Sequence, residues 1–192
     1  MRVTGGQWRG RRLGSGRDPA VRPSTDRVRE ALFNQIAPWL EDHPVADLCC
    51  GTGALGIEAL SRGVRWVDFV DLAPASLATV RENLRALGAD PGRWALRRAD
   101  AARWLERRLA ADGNPLVVLA DPPYGGRAAS DLVAVLRRAT PTALPLAVLE
   151  HPASDHPLAG VAPHWECRTR TYGGTALTLL RPAADAPEAA DA

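Results

Sequence analysis

The sequence predicts a doubly wound α/β fold, and two observations carry that prediction. Five short apolar segments alternate along the chain with segments of helical period, and two further segments at the end have the pattern of an antiparallel hairpin. The first apolar segment, residues 45–50, runs directly into a glycine-rich turn and a helix. Apolar runs without polar alternation are typical of parallel strands that are buried on both faces. We therefore expect a mostly parallel sheet with an antiparallel edge.

The elements are predicted in the following order. A Gly-Gly pair between two short segments indicates a β-hairpin within residues 1–13, and residues 14–23 form a loop rich in glycine and proline. Strands are predicted at residues 45–50, 66–70, 94–98, 116–120 and 146–149. Helices are predicted at residues 24–40, 54–62, 75–87, around 104–109 and 132–138, the last capped by Ser130. The closing hairpin pairs residues 165–171 with 175–180 across Tyr172-Gly173-Gly174.

The chain has the length of a single domain with a small extension. Its 192 residues divide into a basic hairpin and loop at 1–23, a main domain at 24–182, and a tail at 183–192 that we expect to be disordered. Apolar runs all fall short of the roughly 20 residues that span a bilayer, and no signal-peptide core follows Met1. We therefore expect a cytoplasmic protein.

The three cysteines do not suggest a disulfide framework or a metal site. Cys49 and Cys50 are adjacent, Cys167 is alone, and no spacing resembles a zinc site. We interpret Cys49 and Cys50 as small buried strand residues, and we expect no metal.

Charge is concentrated near the start of the chain. The net charge is only +2, but residues 1–30 hold eight arginines against three acidic residues, which is +5, so the remainder carries −3. This distribution indicates a polyanionic partner, although a solvated segment without a partner has the same composition. Trp8 among these arginines either stacks on a base or pins the hairpin to the core.

The glycine-rich turn predicts a nucleotide-like cofactor. Gly51, Gly53 and Gly56 have the GxGxxG spacing, and Asp71 follows Gly51 by 20 positions at the end of the second apolar segment. A carboxylate there suits the ribose of either NAD or S-adenosylmethionine. Asp47 within the first strand suits a cofactor with an amino group and a sulfonium. These residues favour a methyltransferase over a dehydrogenase.

The segment Asp121-Pro122-Pro123-Tyr124 closes the fourth predicted strand and suits methyl transfer to an exocyclic amino group. The Asp121 carboxylate and the Pro122 carbonyl can hold the two hydrogens of such a group and direct its lone pair, while the prolines restrict the backbone. Tyr124 can stack on the base. Asp100, just past the third strand, either contacts adenine or caps the next helix, and both can hold.

The motifs together resemble a known family. The stretches MRVTGGQWRGRRL, RPSTDRVREALFNQIAPWL, DLCCGTGALGIEALSRG, DPPY and the closing hairpin resemble, in that order, the bacterial 16S ribosomal RNA guanine-N2 methyltransferases of the RsmD type. The resemblance covers residues 2 to about 182. It implies a Rossmann-like class I methyltransferase fold with seven strands, S-adenosylmethionine as cofactor, and a guanine of 16S rRNA in the small subunit or its precursor as target.

The resemblance also implies roles for particular residues. Asp121, Pro122, Pro123 and Tyr124 would hold the target amino group. The cofactor would be bound by Thr25, Asp47, Cys49, Gly51, Gly53, Asp71, Leu72, Asp100 and Ala101. RNA would be bound by Arg2, Trp8, Arg9, Arg11, Arg12, Arg22 and Arg29. The chain differs from many relatives in having Cys49-Cys50 where Phe-Ala is frequent, a mild change that keeps the turn.

Three other functions remain open from the sequence. An adenine-N6 methyltransferase acting on RNA or DNA would use the same Asp-Pro-Pro-Tyr segment, because the segment recognises an amino group rather than a particular purine. A non-catalytic RNA-binding assembly factor could keep the fold without using it. An NAD dehydrogenase is the most remote of the alternatives. We expect the protein to be a monomer.

Overall fold

The computed structural model describes residues 1–15, 26–111 and 114–183. Its helices are α1 (Asp26–Leu40), α2 (Ala54–Ser61), α3 (Pro74–Leu87), α4 (Ala101–Ala111) and α5 (Arg127–Arg138). Its strands are β1 (Val45–Leu48), β2 (Val67–Asp71), β3 (Trp94–Arg98), β4 (Val117–Ala120), β5 (Leu146–Pro152), β6 (Trp165–Tyr172) and β7 (Thr175–Pro182). None of these helices has the length and apolar character needed to cross a membrane.

The strands form one sheet of seven in the order β3-β2-β1-β4-β5-β7-β6. Strands β1 to β5 are parallel, and β7 is antiparallel to both of its neighbours. The order reverses between β1 and β4, which is where doubly wound sheets bind ligands. The predicted fold class, with its parallel sheet and antiparallel edge, is confirmed.

Helices cover both faces of the sheet, which explains why its central strands are apolar throughout. Val117 and Leu119 of β4 belong to the core formed with α1, α2 and α3. Val118 and Ala120 of the same strand belong to the core formed with α4 and α5. Because successive side chains point to opposite faces, a strand covered on both sides needs an apolar residue at every position.

Several predicted elements differ from the structure. Strand β1 ends at Leu48, so Cys49 and Cys50 follow the strand and the interpretation of both as buried strand residues is wrong: Cys49 has φ +56° and is only partly buried.

Helix α5 begins at Arg127, five residues before the predicted start, and its N-cap is Gly126, so the prediction that Ser130 caps it is wrong. Ser130 lies inside the helix and donates to the Arg127 carbonyl (2.9 Å). The periodicity does not reveal the first turns, because the apolar stripe that marks the helix begins only at Leu132.

Strand β5 continues past the predicted residues 146–149 to Pro152, because β7 pairs with it along that length. The predicted N-terminal hairpin is present in a short form, with one antiparallel bridge between Arg2 and Arg12 and backbone hydrogen bonds that join its two sides, such as that from the Val3 amide to the Arg11 carbonyl (3.0 Å). A short 3₁₀ turn, Gly6–Trp8, connects its two sides. The compact turn shortens the ladder that the Gly-Gly pair predicted.

Candidate active site

A cavity of about 590 Å³ lies beyond the carboxyl ends of the central strands. Asp47 is the third residue of β1, Asp71 ends β2, and Asp121 directly follows β4. Parallel strands end at the same edge of the sheet, so the fold brings these residues together although they are far apart in sequence. Five carboxylates line the cavity: Asp47, Asp71, Asp100, Asp121 and Glu150.

The glycine turn forms one wall of the cavity. Gly51 has φ +52° and faces open space, so a left-handed backbone is the feature that requires glycine there. Gly53, at φ +77°, lies behind the wall, where an added Cβ would sit 2.9 Å from Val80. Gly56 packs so closely on β2 that an added Cβ would meet Phe69 at 2.4 Å. The structure thus places Gly51 on the cavity and Gly53 beneath it.

Asp71 is held rigidly by the backbone around it. Its Oδ2 accepts a hydrogen bond from the Gly51 amide (3.0 Å), and its Oδ1 accepts one from the Ala73 amide (2.8 Å). Each carboxylate oxygen can accept a second hydrogen bond. Asp71 is therefore fixed in position at the cavity and can still receive a pair of hydroxyl groups.

Asp47 is buried, and its Oδ2 accepts a hydrogen bond from the Gly56 amide (2.8 Å). Burial raises the pKa of Asp47 well above its ordinary value, the Gly56 hydrogen bond opposes that shift, and the charges of Asp121 and Asp71 add to it. A cation bound in the cavity would stabilise this carboxylate in its charged form.

Asp121 lies beside Glu150. The register of β4 and β5 pairs Ala120 with Leu149, so the next residue of each strand ends up at the same edge. Burial, and then the charge of Glu150, raise the pKa of Asp121 to about 7. The Tyr124 hydroxyl donates to Glu150 Oε1 (3.4 Å) and shares a hydrogen bond with Thr175 Oγ1 (3.0 Å).

Asp100 and its neighbours form the opposite rim. The Asp100 Oδ1 accepts a hydrogen bond from the Arg103 amide (2.9 Å), so it is a helix cap, as one of the two interpretations predicted. Asp100, Ala101 and Leu72 also line the cavity. Leu72 is 60% exposed, an unusually open position for a large apolar side chain, and is available to cover a flat ligand.

Neither cysteine near the turn is suited to act as a nucleophile. Cys49 lines the cavity, but burial, followed by the charges of Asp71 and Asp121, raises its pKa to about 12. Burial raises the pKa of Cys50 as well. Thiols with raised pKa values remain protonated at neutral pH and are inert. Within the described ranges, no group of three or more His, Cys, Asp or Glu residues is placed to hold a metal ion.

The first fifteen residues, here called the N-terminal arm, pack against the sheet domain. Val3 and Leu13 are buried in the same core as α1 to α3. The carboxylate of Glu58, wholly buried in α2, accepts hydrogen bonds from the Thr4 amide and hydroxyl (both 2.7 Å). Arg62 contacts the same carboxylate at 2.8 Å, so Glu58 lies at the centre of the anchoring contacts.

Asn83 connects the arm to the glycine turn. Its Oδ1 accepts a hydrogen bond from the Gly14 amide (2.7 Å), and its Nδ2 donates to the carbonyls of Gly14 and Thr52 (both 3.1 Å). Asn83 is buried in α3, where an amide must have its hydrogen bonds satisfied. One side chain therefore links the end of the arm to the wall of the cavity.

The predicted RNA-binding residues fall into three groups. Arg29 is 1% exposed, pairs with Asp26 (2.8 Å) and Glu58 (3.6 Å), and donates to the Arg2 carbonyl. It does not present its charge to solvent, contrary to the expectation for an RNA-binding residue. Trp8 is half-buried against the core, which favours the pinning interpretation.

The other arm arginines are exposed: Arg2, Arg9, Arg11 and Arg12. The Arg11 guanidinium donates to the Ala86 carbonyl (2.8 Å), which holds it against the end of α3. The turn of the arm contacts Ser61, the last residue of α2, about 12 Å along the helix axis from the cavity. Arg22 and Thr25 lie outside the described residues.

Three functional or anchoring residues are not apparent from the sequence analysis. Glu150 could have been identified by the rule that identified Asp121, since both directly follow the last residues at which β4 and β5 pair in parallel. Asn83 is a single polar residue among the buried apolar residues of α3, and Glu58 is buried in α2 together with Ser61. A buried polar residue of this kind signals a partner, but its position alone does not identify which partner.

Comparison with known proteins identifies the family. The family model described as "Conserved hypothetical protein 95" matches residues 1–181. The Escherichia coli protein named ribosomal RNA small subunit methyltransferase D is 40% identical over 125 residues, and the match covers 65% of this chain but only 60% of that protein. The Haemophilus influenzae protein of the same name is 30% identical over 136 residues, covering 71% of this chain and 70% of the relative.

Solved structures of other proteins superpose on almost the whole of this chain. The Escherichia coli protein yhhF superposes with a TM-score of 0.76 at 30% identity, covering 96% of this chain and 99% of that one. A hypothetical protein from Thermus thermophilus superposes with a TM-score of 0.75 at 27% identity, covering 94% and 99%. The chain belongs to the family described as conserved hypothetical protein 95, and its resemblance to the RsmD type is confirmed.

Proposed function

We propose that this protein transfers a methyl group from S-adenosylmethionine to the exocyclic N2 of a guanine in 16S ribosomal RNA. The observation that carries the proposal is the meeting of Asp47, Asp71 and the Asp121–Tyr124 segment in one acidic cavity. Family membership supports the same function, because two relatives are named as small-subunit ribosomal RNA methyltransferases.

The charge of the cavity favours S-adenosylmethionine over a dinucleotide. Five carboxylates line it against one arginine, Arg29, whose charge is paired with Asp26 and Glu58, and this balance suits a ligand carrying a sulfonium and an ammonium and opposes the anionic pyrophosphate of NAD. A dinucleotide site also needs free backbone donors at the glycine turn. Here the Gly51 amide donates to Asp71, and the Gly53 amide donates to the Cys50 carbonyl (2.7 Å).

The residues present fit the parts of the cofactor. Asp47 and Gly51, with Cys49 beside them, would hold the methionine portion, while Asp71 would accept the ribose hydroxyls. Leu72, Asp100 and Ala101 would contact the adenine. When bound, S-adenosylmethionine supplies a methyl group on a positively charged sulfur, which is already activated for transfer. Gly53 lies beneath the cavity wall, so it would not contact the cofactor and would contribute by allowing the glycine turn to form.

Asp121, Pro122 and Tyr124 would orient the target. Asp121 can accept one hydrogen of the amino group and the Pro122 carbonyl the other, which directs the nitrogen lone pair toward the methyl donor. Tyr124 is half exposed, with its hydroxyl tied to Glu150 and Thr175, so its ring is fixed and open for stacking. The Asp121 carboxylate would offset the positive charge that develops on the nitrogen.

The substrate is a polynucleotide from which the target base must be extruded to reach the cavity. The exposed arginines of the N-terminal arm can contact phosphates. The relatives' names point to ribosomal RNA of the small subunit as the partner, and we propose that it is met in the small subunit or its precursor. We propose that the protein acts in the cytoplasm as a monomer.

The experiment is radiolabel transfer from S-adenosylmethionine to small ribosomal subunits that lack the modification, followed by digestion to nucleosides. Label in N2-methylguanosine of 16S rRNA is the expected result. Label in N6-methyladenosine would keep the chemistry but replace guanine with adenine. Absence of both label and cofactor binding would instead favour a non-catalytic assembly factor.

A further inference from the structure

Glu150 occupies a position that the cofactor and the Asp-Pro-Pro-Tyr segment leave unexplained. It is 5% exposed, it lies beside Asp121 where the pairing of β4 with β5 ends, and it lines the main cavity. A second cavity of about 560 Å³ adjoins the first, and the two share Pro122, Tyr124 and Glu150 in their walls. Glu150 is therefore placed where a base held by Asp121 and Tyr124 would present its edge.

The hydrogen-bonding groups of the purine bases indicate what a carboxylate at that position could recognise. In guanine and in adenine alike, the exocyclic amino group is next to ring atom N1. Guanine N1 carries a hydrogen and is a donor, whereas adenine N1 has a lone pair and is an acceptor. An enzyme that holds the amino group in the same way for either base must distinguish them by the group that faces N1.

We propose that Glu150 recognises the N1–H of the target guanine and thereby selects guanine over adenine, an inference that rests on the proposed function. Asp121 and Glu150 then form a pair of acceptors that match the adjacent N2–H and N1–H donors. The Tyr124 hydroxyl holds Glu150 Oε1, and Thr175 holds Tyr124, so the second acceptor is fixed in place. Against adenine, the carboxylate would face a lone pair and lose its hydrogen bond.

The test compares guanine with 2-aminopurine at the modified position. The modified nucleotide is first mapped, and 16S rRNA is then rebuilt around a synthetic segment that carries either base. 2-Aminopurine keeps the amino group at C2 but has a lone pair at N1. We expect the wild-type protein to prefer guanine in kcat/KM by about tenfold to a hundredfold, the effect of a lost hydrogen bond to a charged group. Equal rates on the two RNAs would overturn the proposal without any variant.

The substitution Glu150→Gln sharpens the test. A glutamine amide can either accept from guanine N1–H or donate to the N1 of 2-aminopurine. We expect the rate on guanine to fall and the preference to shrink to about threefold or less. Equal losses on both RNAs would instead mean that Glu150 has only a structural role.

Two matched variants complete the design. Tyr124→Phe removes the hydroxyl bonded to Glu150 but keeps the carboxylate, so it should lower the rate while preserving the preference for guanine. If the preference for guanine over 2-aminopurine falls as far in Tyr124→Phe as in Glu150→Gln, the proposal is overturned. Glu106→Gln changes an exposed glutamate of α4 and should leave both rates unchanged.

Failure of this inference and failure of the proposed function are distinguishable. If the unsubstituted RNA yields no N2-methylguanosine with the wild-type protein, the proposed function fails. If it does yield that product but the base preference is absent, or is unaffected by Glu150→Gln, only the role of Glu150 is wrong.

Discussion

Buried acidic side chains line the cavity and also hold the N-terminal arm in place, but these two sets are compensated in opposite ways. Beneath the arm, the Glu58 carboxylate of α2 is surrounded by Thr4, Arg29 and Arg62. In the cavity, the described partner of Asp47 is a backbone amide, and Asp121 lies beside another carboxylate, Glu150. The first arrangement uses charge to hold two parts of the chain together, whereas the second leaves negative potential for a ligand.

This difference distinguishes buried carboxylates that hold the chain together from buried carboxylates that can bind a ligand. A buried carboxylate paired with guanidinium groups is costly to break but has little left to offer a ligand. Buried carboxylates with only neutral or like-charged neighbours have raised pKa values, a property that is concentrated at functional sites. On this criterion we assign Asp47 and Asp121 to the proposed active site and Glu58 to the framework.

The substitution with the largest expected effect tests the proposed role of the cavity. Asp121→Ala removes the proposed acceptor of the amino hydrogen, so we expect methyl transfer to fall by about a thousandfold. Affinity for S-adenosylmethionine, measured by calorimetry, should change by about threefold at most. Asp131→Ala, on the partly exposed side of α5, is the matched control and should keep full activity. Loss of cofactor binding in Asp121→Ala would contradict the assigned role.

Glu58→Gln tests the opposite role. The change leaves Arg29 buried without its full counter-charge, so we expect the free energy of unfolding to fall by about 3 kcal/mol. Denaturant unfolding monitored by circular dichroism measures the loss. Glu82→Gln, at an exposed site of α3, should change stability by about 0.5 kcal/mol or less. A loss below about 1 kcal/mol in Glu58→Gln would mean that the arm is held mainly by Val3 and Leu13.

Asn83→Ala tests the link between the regions. It leaves the Gly14 amide and the Thr52 carbonyl without their side-chain partner, so we expect a loss of about 2 kcal/mol in the free energy of unfolding. Since Thr52 belongs to the cavity wall, the affinity for S-adenosylmethionine should fall as well, by about threefold to tenfold. Stability that falls without any change in cofactor affinity would show that the turn holds its shape independently of the arm.

The raised pKa of Asp121 predicts opposite pH dependences for activity and for stability. Only the ionised carboxylate can offset the positive charge that develops on the nitrogen, so kcat/KM should fall tenfold per unit as pH drops below about 7. Stability should change in the opposite direction. Between pH 3.8 and about pH 7, the folded protein binds more protons at Asp121 than the unfolded chain does. The stabilisation from this group is therefore lost as the pH rises through that range. Asp121→Asn should remove both trends, and an unchanged pH profile in that variant would assign the pKa to another group.

Sequence patterns predicted the cavity better than they predicted the arm, for a physical reason. Asp71 and Asp121 could be identified because a parallel sheet brings the ends of its strands to one edge. The arm depends on contacts between residues distant in sequence, such as Thr4 with Glu58, which no local period encodes. Arg29 illustrates the consequence, since the charge pattern indicated a surface residue and the fold buried it.

The smallest expected effect concerns the exposed arginines of the arm. Arg12, bridged to Arg2 at the open end of the arm, is the most direct candidate for a phosphate contact, whereas Arg9 follows the turn that contacts Ser61 at the far end of α2. Arg12→Gln should weaken RNA binding by about threefold and lower the slope of log K against log salt by about 1. Arg107→Gln, exposed on α4 at the opposite face of the sheet, should change neither quantity. Filter binding at several salt concentrations measures both. If Arg9→Gln has the larger effect, RNA extends along the whole arm to the far end of α2, whereas a larger effect of Arg12→Gln confines it to the edge of the cavity.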